Sequence, residues 1–288
     1  MMRSTSAIVV SYNKRPYTEL CVGGMLRCTP PPAQIVVVDN GSSDGSVEFL
    51  KMQFVEQCRN SQAECAVITN AENVGACTAR NQALEEARGE YIAFCDNDVT
   101  VRSRDWLAKL SSSLDEMPEV GIVGPKLLFP FAPYDIECAG VGISRSGRVQ
   151  YCGRGQARDT PEFCQARKVQ CLTSACWLMR RELYEQLGGL DELFNPAQFE
   201  DFDYCYRARE AGWEVLYQPA AEMYHFENVT TDGSRDVNFK YVTMKNWRVF
   251  RQRWEHMFSG EDGPADAECK WAEIRTRALE EVGEPPMK

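Results

Sequence analysis

A chain of 288 residues with 44% hydrophobic and 26% charged residues is long enough for one large domain or two and has the make-up of a globular protein. Its 42 acidic residues outnumber 32 basic ones for a net charge of −10, which excludes a broad nucleic-acid-binding face while a local basic pocket for phosphates stays open. No apolar stretch is long enough to cross a membrane, and Met1-Met2-Arg3-Ser4-Thr5-Ser6 lacks the apolar core and cleavage site of a secretion signal. A cytoplasmic location is therefore expected, free or peripheral to the inner face of the membrane.

Strand and helix signals alternate through the first half. Residues 7–12 read as a strand, and Pro16, suited to a first helical turn, opens a helix that runs to about Leu26. A second strand over 34–39 is followed by a loop at 40–45 and a helix over 46–57. Residues 65–69 form a third strand. The helix after it, near 75–88, carries Ala79, Ala83, Leu84 and Ala87 on one face. A fourth strand over 91–95 ends at Asp96-Asn97-Asp98, and a helix over 103–116 and a strand over 121–124 follow. Continuous apolar strands separated by helices predict an α/β fold with a largely parallel central sheet flanked by helices.

Past Pro125 the regularity breaks, and residues 126–172 read as an excursion from the sheet rather than a separate domain. Helices are expected over 180–187, stopped by Gly188-Gly189, and over 202–211, stopped by Gly212. Strands at 213–217 and 222–225 extend the sheet. Residues 237–258 are amphipathic, with Phe239, Val242, Trp247, Phe250 and Trp254 as the core-facing stripe. The tail from Ser259 is polar, with a helix expected around 266–281. The 13 cysteines include no Cys-x-x-Cys pair and accompany only two histidines, so the close pairs of a zinc site are missing. Reduced thiols are expected, several of them, such as Cys95 and Cys205, acting as small buried hydrophobes. A thiol role for Cys171 or Cys176 stays open.

The acidic triplet carries the first chemical signal. Open α/β sheets place ligands past the carboxyl ends of their strands. Two carboxylates one residue apart on an extended segment face the same way and can hold one hard cation, leaving sites free for substrate phosphates. Asp-x-Asp also occurs in turns and helix caps, so the triplet alone does not decide. Asp39 ends the second strand, where its carboxylate can accept hydrogen bonds from a nucleobase N–H, and Asp44 is placed to cap the next helix. Asn73-Val74-Gly75 opens a helix whose dipole and free N–H groups favour an anion. Arg80, one and a half turns further, can reach a nucleotide or pair with a nearby acid.

Six segments in this order, Val9-Val10-Ser11-Tyr12-Asn13, Val38 to Gly45, Asn73-Val74-Gly75, Ala79-Arg80-Asn81, Asp96-Asn97-Asp98 and Glu200-Asp201-Phe202-Asp203, resemble the family-2 glycosyltransferases over about residues 7–257. The resemblance implies the GT-A fold: one domain over 1–258, with a Rossmann-like nucleotide-sugar-binding half at 7–125 and an acceptor half with the last helix at 126–258, then a polar extension at 259–288. It implies that Asp39 contacts the base, that Asp98 binds a divalent cation (Mn2+ or Mg2+), and that Asp96 contacts the ribose and orients the metal. It makes His225 a further metal ligand, compatible with manganese, and Asn97 a middle position without special function. Asp201 matches the family's general base, Glu200 is read as orienting the acceptor, and Asp203 as serving the helix that follows. Residues 173–178 would line the donor-sugar and acceptor region, with Trp177 either stacked on a sugar or packed in the core.

The expected activity is inverting, metal-dependent transfer of a hexose or deoxyhexose from a nucleoside-diphosphate sugar to a glycan, lipid-linked or peptide acceptor. The Gln-x-x-Arg-Trp motif of processive synthases is absent, which points to addition of a single sugar or few. Two rivals are a sugar-phosphate nucleotidylyltransferase, disfavoured because Ser11-Tyr12-Asn13-Lys14-Arg15 lacks a Gly-rich loop, and a non-catalytic nucleotide-sugar-binding protein, disfavoured by the acids at 96, 98 and 201.

Overall fold

Four apolar runs become adjacent parallel strands in the computed structural model, which describes residues 3–227, 229 and 237–288. They are β1 (Thr5–Ser11), β2 (Gln34–Asp39), β3 (Glu64–Thr69) and β4 (Tyr91–Asp96), in the spatial order β3-β2-β1-β4. Parallel pairing needs crossovers. These are α1 (Arg15–Leu26), the succession α2 (Ser46–Phe49), a π-helical turn Leu50–Phe54 and α3 (Val55–Asn60), and α4 (Ala76–Glu86). The helix expected over 46–57 thus carries a π turn that buries Leu50 and Phe54. Because the strands are parallel, Ser11, Asp39 and Asp96 all emerge at one edge of the sheet.

The sheet then changes direction. After β5 (Val99–Val101) and α5 (Trp106–Glu116) comes β6, which covers Val120–Leu128 rather than 121–124. Residues 126–172 contribute the short strands β7 (Ile136–Cys138), β8 (Val141–Ile143), β9 (Val149–Tyr151) and β10 (Arg167–Lys168); β8 and β9 form a separate two-stranded sheet. β11 (Cys176–Arg180), whose residues 176–178 read from sequence as site-lining and whose Arg180 read as a helix start, is a fully buried strand inserted antiparallel between β4 and β6. The antiparallel insertion makes the ten-stranded sheet mixed.

β11 leads into α6 (Arg181–Leu187), α7 (Glu200–Glu210) and β12 (Glu214–His225). The two expected strands at 213–217 and 222–225 are one, interrupted where the register slips between Gln218 and Glu222. The slip faces Pro125 of β6, which has no N–H to give the ladder, so an irregularity there is the expected accommodation. α8 (Phe239–Phe258) buries Val242, Asn246, Phe250, Trp254 and Phe258. Nine of the 13 cysteines are buried, so most act as small apolar side chains in the core. The tail forms only the short α9 (Leu279–Val282) instead of a helix over 266–281. Its main chain is engaged by the body: Gln150 Nε2 donates to Glu268 O and Arg154 Nε to Ala272 O, which draws the segment out along the surface. No helix among the described residues is long and apolar enough to cross a membrane.

Asn246 is the polar member of the α8 stripe and takes the place the sequence reading gave to Trp247. It is fully buried, and its Nδ2 donates to the carbonyls of Phe194, Ala197 and Gln198 at 2.7–2.9 Å, tying down the loop before α7. Asn246→Ala strips the donor from three carbonyls and is expected to lower stability by about 2 kcal/mol. Urea unfolding checks this, and an unchanged midpoint would show that the loop is held by other contacts.

Candidate active site

Asp96 is the last residue of β4, and Asn97 and Asp98 form the turn into β5. Asn97 anchors that turn: its Nδ2 donates to Thr18 Oγ1 of α1 at 3.1 Å, so the middle position has a structural task after all. β5 pairs with β12 so that Val99 lies opposite His225, which brings the imidazole beside the triplet. One ligand atom each from Asp96, Asp98 and His225 lie within 4.8 Å of one another. His225 Nε2 is 3.5 Å from Asp98 Oδ1. Burial pulls the imidazole down, but the Asp98 and Glu137 carboxylates outweigh it and push it well above its usual value. A pocket that holds an imidazole protonated is one in which a divalent cation can replace the proton, and two carboxylates with one imidazole suit such a cation.

The second feature is a buried ion-pair bridge. Arg80 is 7% exposed and donates through Nη2 to Asp96 Oδ1 at 2.5 Å and through Nη1 to Glu200 Oε1 at 2.7 Å. Of its two sequence readings, pairing with an acid is the one observed. Glu200, Asp201 and Asp203 lie inside the first turn of α7, not before it, where the helix dipole favours negative charge. Asp201 accepts hydrogen bonds from the backbone N–H of Ser174 at 3.2 Å and of Phe202 at 2.9 Å. Burial, reinforced by the neighbouring Glu200 carboxylate, pushes the Asp201 carboxyl up to about 7. Asp203 is fully buried and accepts from Arg253 Nη1 and Trp254 Nε1, both at 2.8 Å, so it ties α7 to α8.

At the end of β2, Asp39 is fully buried; Oδ1 accepts from Ser42 N at 2.9 Å and Oδ2 has no partner among the described residues. The N-cap of α2 is Gly45 rather than Asp44; Asp44, one residue earlier, accepts from the backbone N–H groups of Ser46 and Arg15 and so ties the starts of α2 and α1 together. Asn40 binds the side chain of Asn73 and the main chain of Val74 and Gly75, folding that loop against the end of β2. The α4 N-terminus is not free for an anion: Ala76 N donates to Pro196 O at 2.6 Å and Cys77 N to Asn195 Oδ1 at 3.1 Å. Gly75 permits this, since its φ of +89° suits glycine and a Cβ there would lie 2.4 Å from Asn195 Oδ1. Asn73 is exposed, and its Oδ1 is occupied by Asn40 and Gly75 N. Trp177 is fully buried between Phe94 and Tyr204, so it packs in the core and is closed to a sugar ring. Sequence reasoning overlooked Glu137, whose signal was a lone acid within the apolar Ile136–Cys138, and Arg154.

Residues 6–188 match the family described as Glycosyl transferase family 2. The chain belongs to that family. It is 32% identical over 231 residues to the uncharacterised protein y4gI of Sinorhizobium fredii, a span of 77% of this chain and 24% of that protein. It is 25% identical over 244 residues to the N-acetylglucosaminyl-diphospho-decaprenol L-rhamnosyltransferase of Mycobacterium tuberculosis, covering 78% of this chain and 76% of that one. It spans only 24% and 19% of the first two curated relatives, the second being the O-antigen biosynthesis protein RfbC of Myxococcus xanthus, at 29% identity over 84% of this chain. Among solved structures it resembles GalNAc-T7 with UDP, GalNAc and Mn2+ (TM-score 0.64, 18% identity, 78% of this chain and 44% of that one). It also resembles the mannosyltransferase PcManGT of Pyrobaculum calidifontis with GDP-Man and Mn2+ (TM-score 0.57, 19% identity, 90% of this chain and 73% of that one). The family-2 chain thus has the GT-A fold.

Asp201 makes stability depend on pH. Its ordinary value is 3.8, so between about 4 and 7 the unfolded chain ionises while the folded carboxyl keeps its proton, and stability falls as pH rises through that window. Asp201→Asn removes the effect. The variant should therefore gain on wild type between pH 4 and 7, by an amount on the order of 4 kcal/mol, with no further gain above. Melting curves at pH 4, 5.5, 7 and 8.5 test this, and parallel profiles for the two proteins would refute the raised carboxyl.

Proposed function

We propose that the protein is an inverting glycosyltransferase that moves a sugar from a nucleoside-diphosphate sugar to an acceptor hydroxyl, with Asp201 as the general base. One observation carries the reading: a buried carboxyl poised near neutrality is joined through its neighbour Glu200 and through Arg80 to the acidic triplet. Asp39, with an unpartnered buried oxygen, is suited to accept from a base N–H. A divalent cation, Mn2+ or Mg2+, bound by Asp96, Asp98 and His225 would offset the charge gathering on the departing diphosphate. Asp201 takes the acceptor's proton as the acceptor oxygen bonds to the anomeric carbon and the bond to the diphosphate oxygen breaks. One displacement from the opposite face inverts that carbon, and no covalent enzyme intermediate is needed.

The solved structures with UDP and GDP-Man support the donor class, and the rhamnosyltransferase, by its name, supports a lipid-linked saccharide acceptor. Such an acceptor puts the working enzyme at the inner face of a membrane.

Asp98→Ala is expected to abolish Mn2+-dependent donor binding, read by calorimetry across a panel of nucleotide sugars, while the fold persists. Full activity with a chelator present would remove the metal from the reading.

Asp201→Asn keeps size but cannot take a proton. Transfer should fall roughly 10²–10⁴-fold with donor affinity unchanged, and wild-type kcat/KM should rise with pH to a plateau above about 7. Near wild-type transfer would move the base elsewhere. Loss of donor binding without acceptor would assign Asp201 to the nucleotide site.

A further inference from the structure

We infer that Glu137 is the positioning residue for His225: its carboxylate holds the Nδ1–H of the imidazole, so that Nε2 is turned toward Asp98 and the cation site. The inference rests on the metal-site reading above and extends it to a residue that no motif marks. Glu137 is fully buried, and its Oε2 lies 3.5 Å from His225 Nδ1. Both atoms are buried and neither has any hydrogen-bond partner among the described residues, so each is left facing the other at ion-pair distance. The backbone aims it there. Leu128 pairs with Ile136 but Leu127 with Cys138, so Glu137 is the extra residue of a bulge at the β6–β7 pairing. Such bulges turn a side chain out of the regular alternation, and they recur beside active sites.

The other carboxylate oxygen is steered by Arg154, whose Nη1 is 3.4 Å from Glu137 Oε1 and whose Nη2 is 2.8 Å from Glu227 Oε2. The guanidinium is itself fixed, 4.0 Å from the ring centroid of Trp271 and 5.2 Å from that of Phe129. Glu227, two residues past His225 and at a φ of +58°, makes the shorter contact with Arg154. Glu137 is thus not the main counter-charge of Arg154, and one of its oxygens faces the imidazole. A neutral imidazole presents a lone pair at Nε2 only when its proton sits on Nδ1. A carboxylate on that proton fixes the tautomer and strengthens the ring as a ligand.

The test is Mn2+ alone, titrated into the protein without nucleotide, with free Mn2+ read by electron paramagnetic resonance and the melting temperature recorded beside it. Glu137→Gln should bind Mn2+ roughly 10–100-fold more weakly than wild type. Glu137→Asp, which keeps the charge but withdraws it by one methylene, gives the same comparison where the Gln variant does not fold. Glu227→Gln disturbs the same arginine without touching Nδ1, so it should lower the melting temperature and leave Mn2+ affinity unchanged. Equal weakening by the Glu137 and Glu227 variants would reduce Glu137 to a structural role and overturn the inference. Asp98→Ala separates the two readings. If it abolishes Mn2+ uptake while Glu137→Gln binds as tightly as wild type, only the role of Glu137 falls; if it leaves uptake unchanged, the metal-site reading falls and takes this one with it.

Discussion

A buried guanidinium must be neutralised where it stands, and in this chain Arg80 is neutralised by two carboxylates from distant parts of the sequence. Asp96 comes from the end of a parallel strand, Glu200 from the first turn of α7. The side chain therefore works as a strut between the end of β4 and the first turn of α7. Losing one partner of such a buried pair typically costs on the order of 3–5 kcal/mol, because the remaining charge is left without water or counter-charge. The same strut orients Asp96, since Arg80 donates to its Oδ1. It also leaves Glu200 Oε2 buried without a partner beside Asp201, a source of the repulsion that keeps the Asp201 carboxyl protonated to near neutrality.

The parts of the fold legible in the sequence were those where a local pattern and the tertiary environment agree. Gln34–Asp39 is buried at every position, and its continuous apolar run said so. The acidic triplet and the acids at 200–203 could be read because charge at a strand end or helix start is a local event. What escaped depended on distant partners. Cys176–Arg180 is a strand only because β4 and β6 leave a gap for it. The α4 N-terminus promised free N–H groups, yet Asn195 and Pro196, over a hundred residues on, cap it. Trp177 carried two readings, and only the packing of Phe94 and Tyr204 on its ring separates them. Asn246 stands in an apolar stripe because three loop carbonyls wait opposite it, and no helical periodicity records those.

The tail teaches the same lesson at the scale of a segment. Its composition suited a helix, but Arg154 and Gln150 take its carbonyls, and the Trp271 ring lies against both Tyr151 and Arg154. Local propensity is a weak force beside several such contacts made together.

The position of β11 has a consequence for how the protein is made. β4 and β6 are close in sequence, yet the sheet is continuous between them only once a strand some 80 residues beyond β4 has been laid in. At the roughly 5–20 residues per second of synthesis, the outer edge of β4 stays open for about 4–16 seconds after it leaves the ribosome. An apolar strand with unpaired N–H and C=O groups is a template for any other chain during that interval. Yield during overproduction should thus hinge less on the finished fold than on what shelters β4 until Cys176–Arg180 arrives.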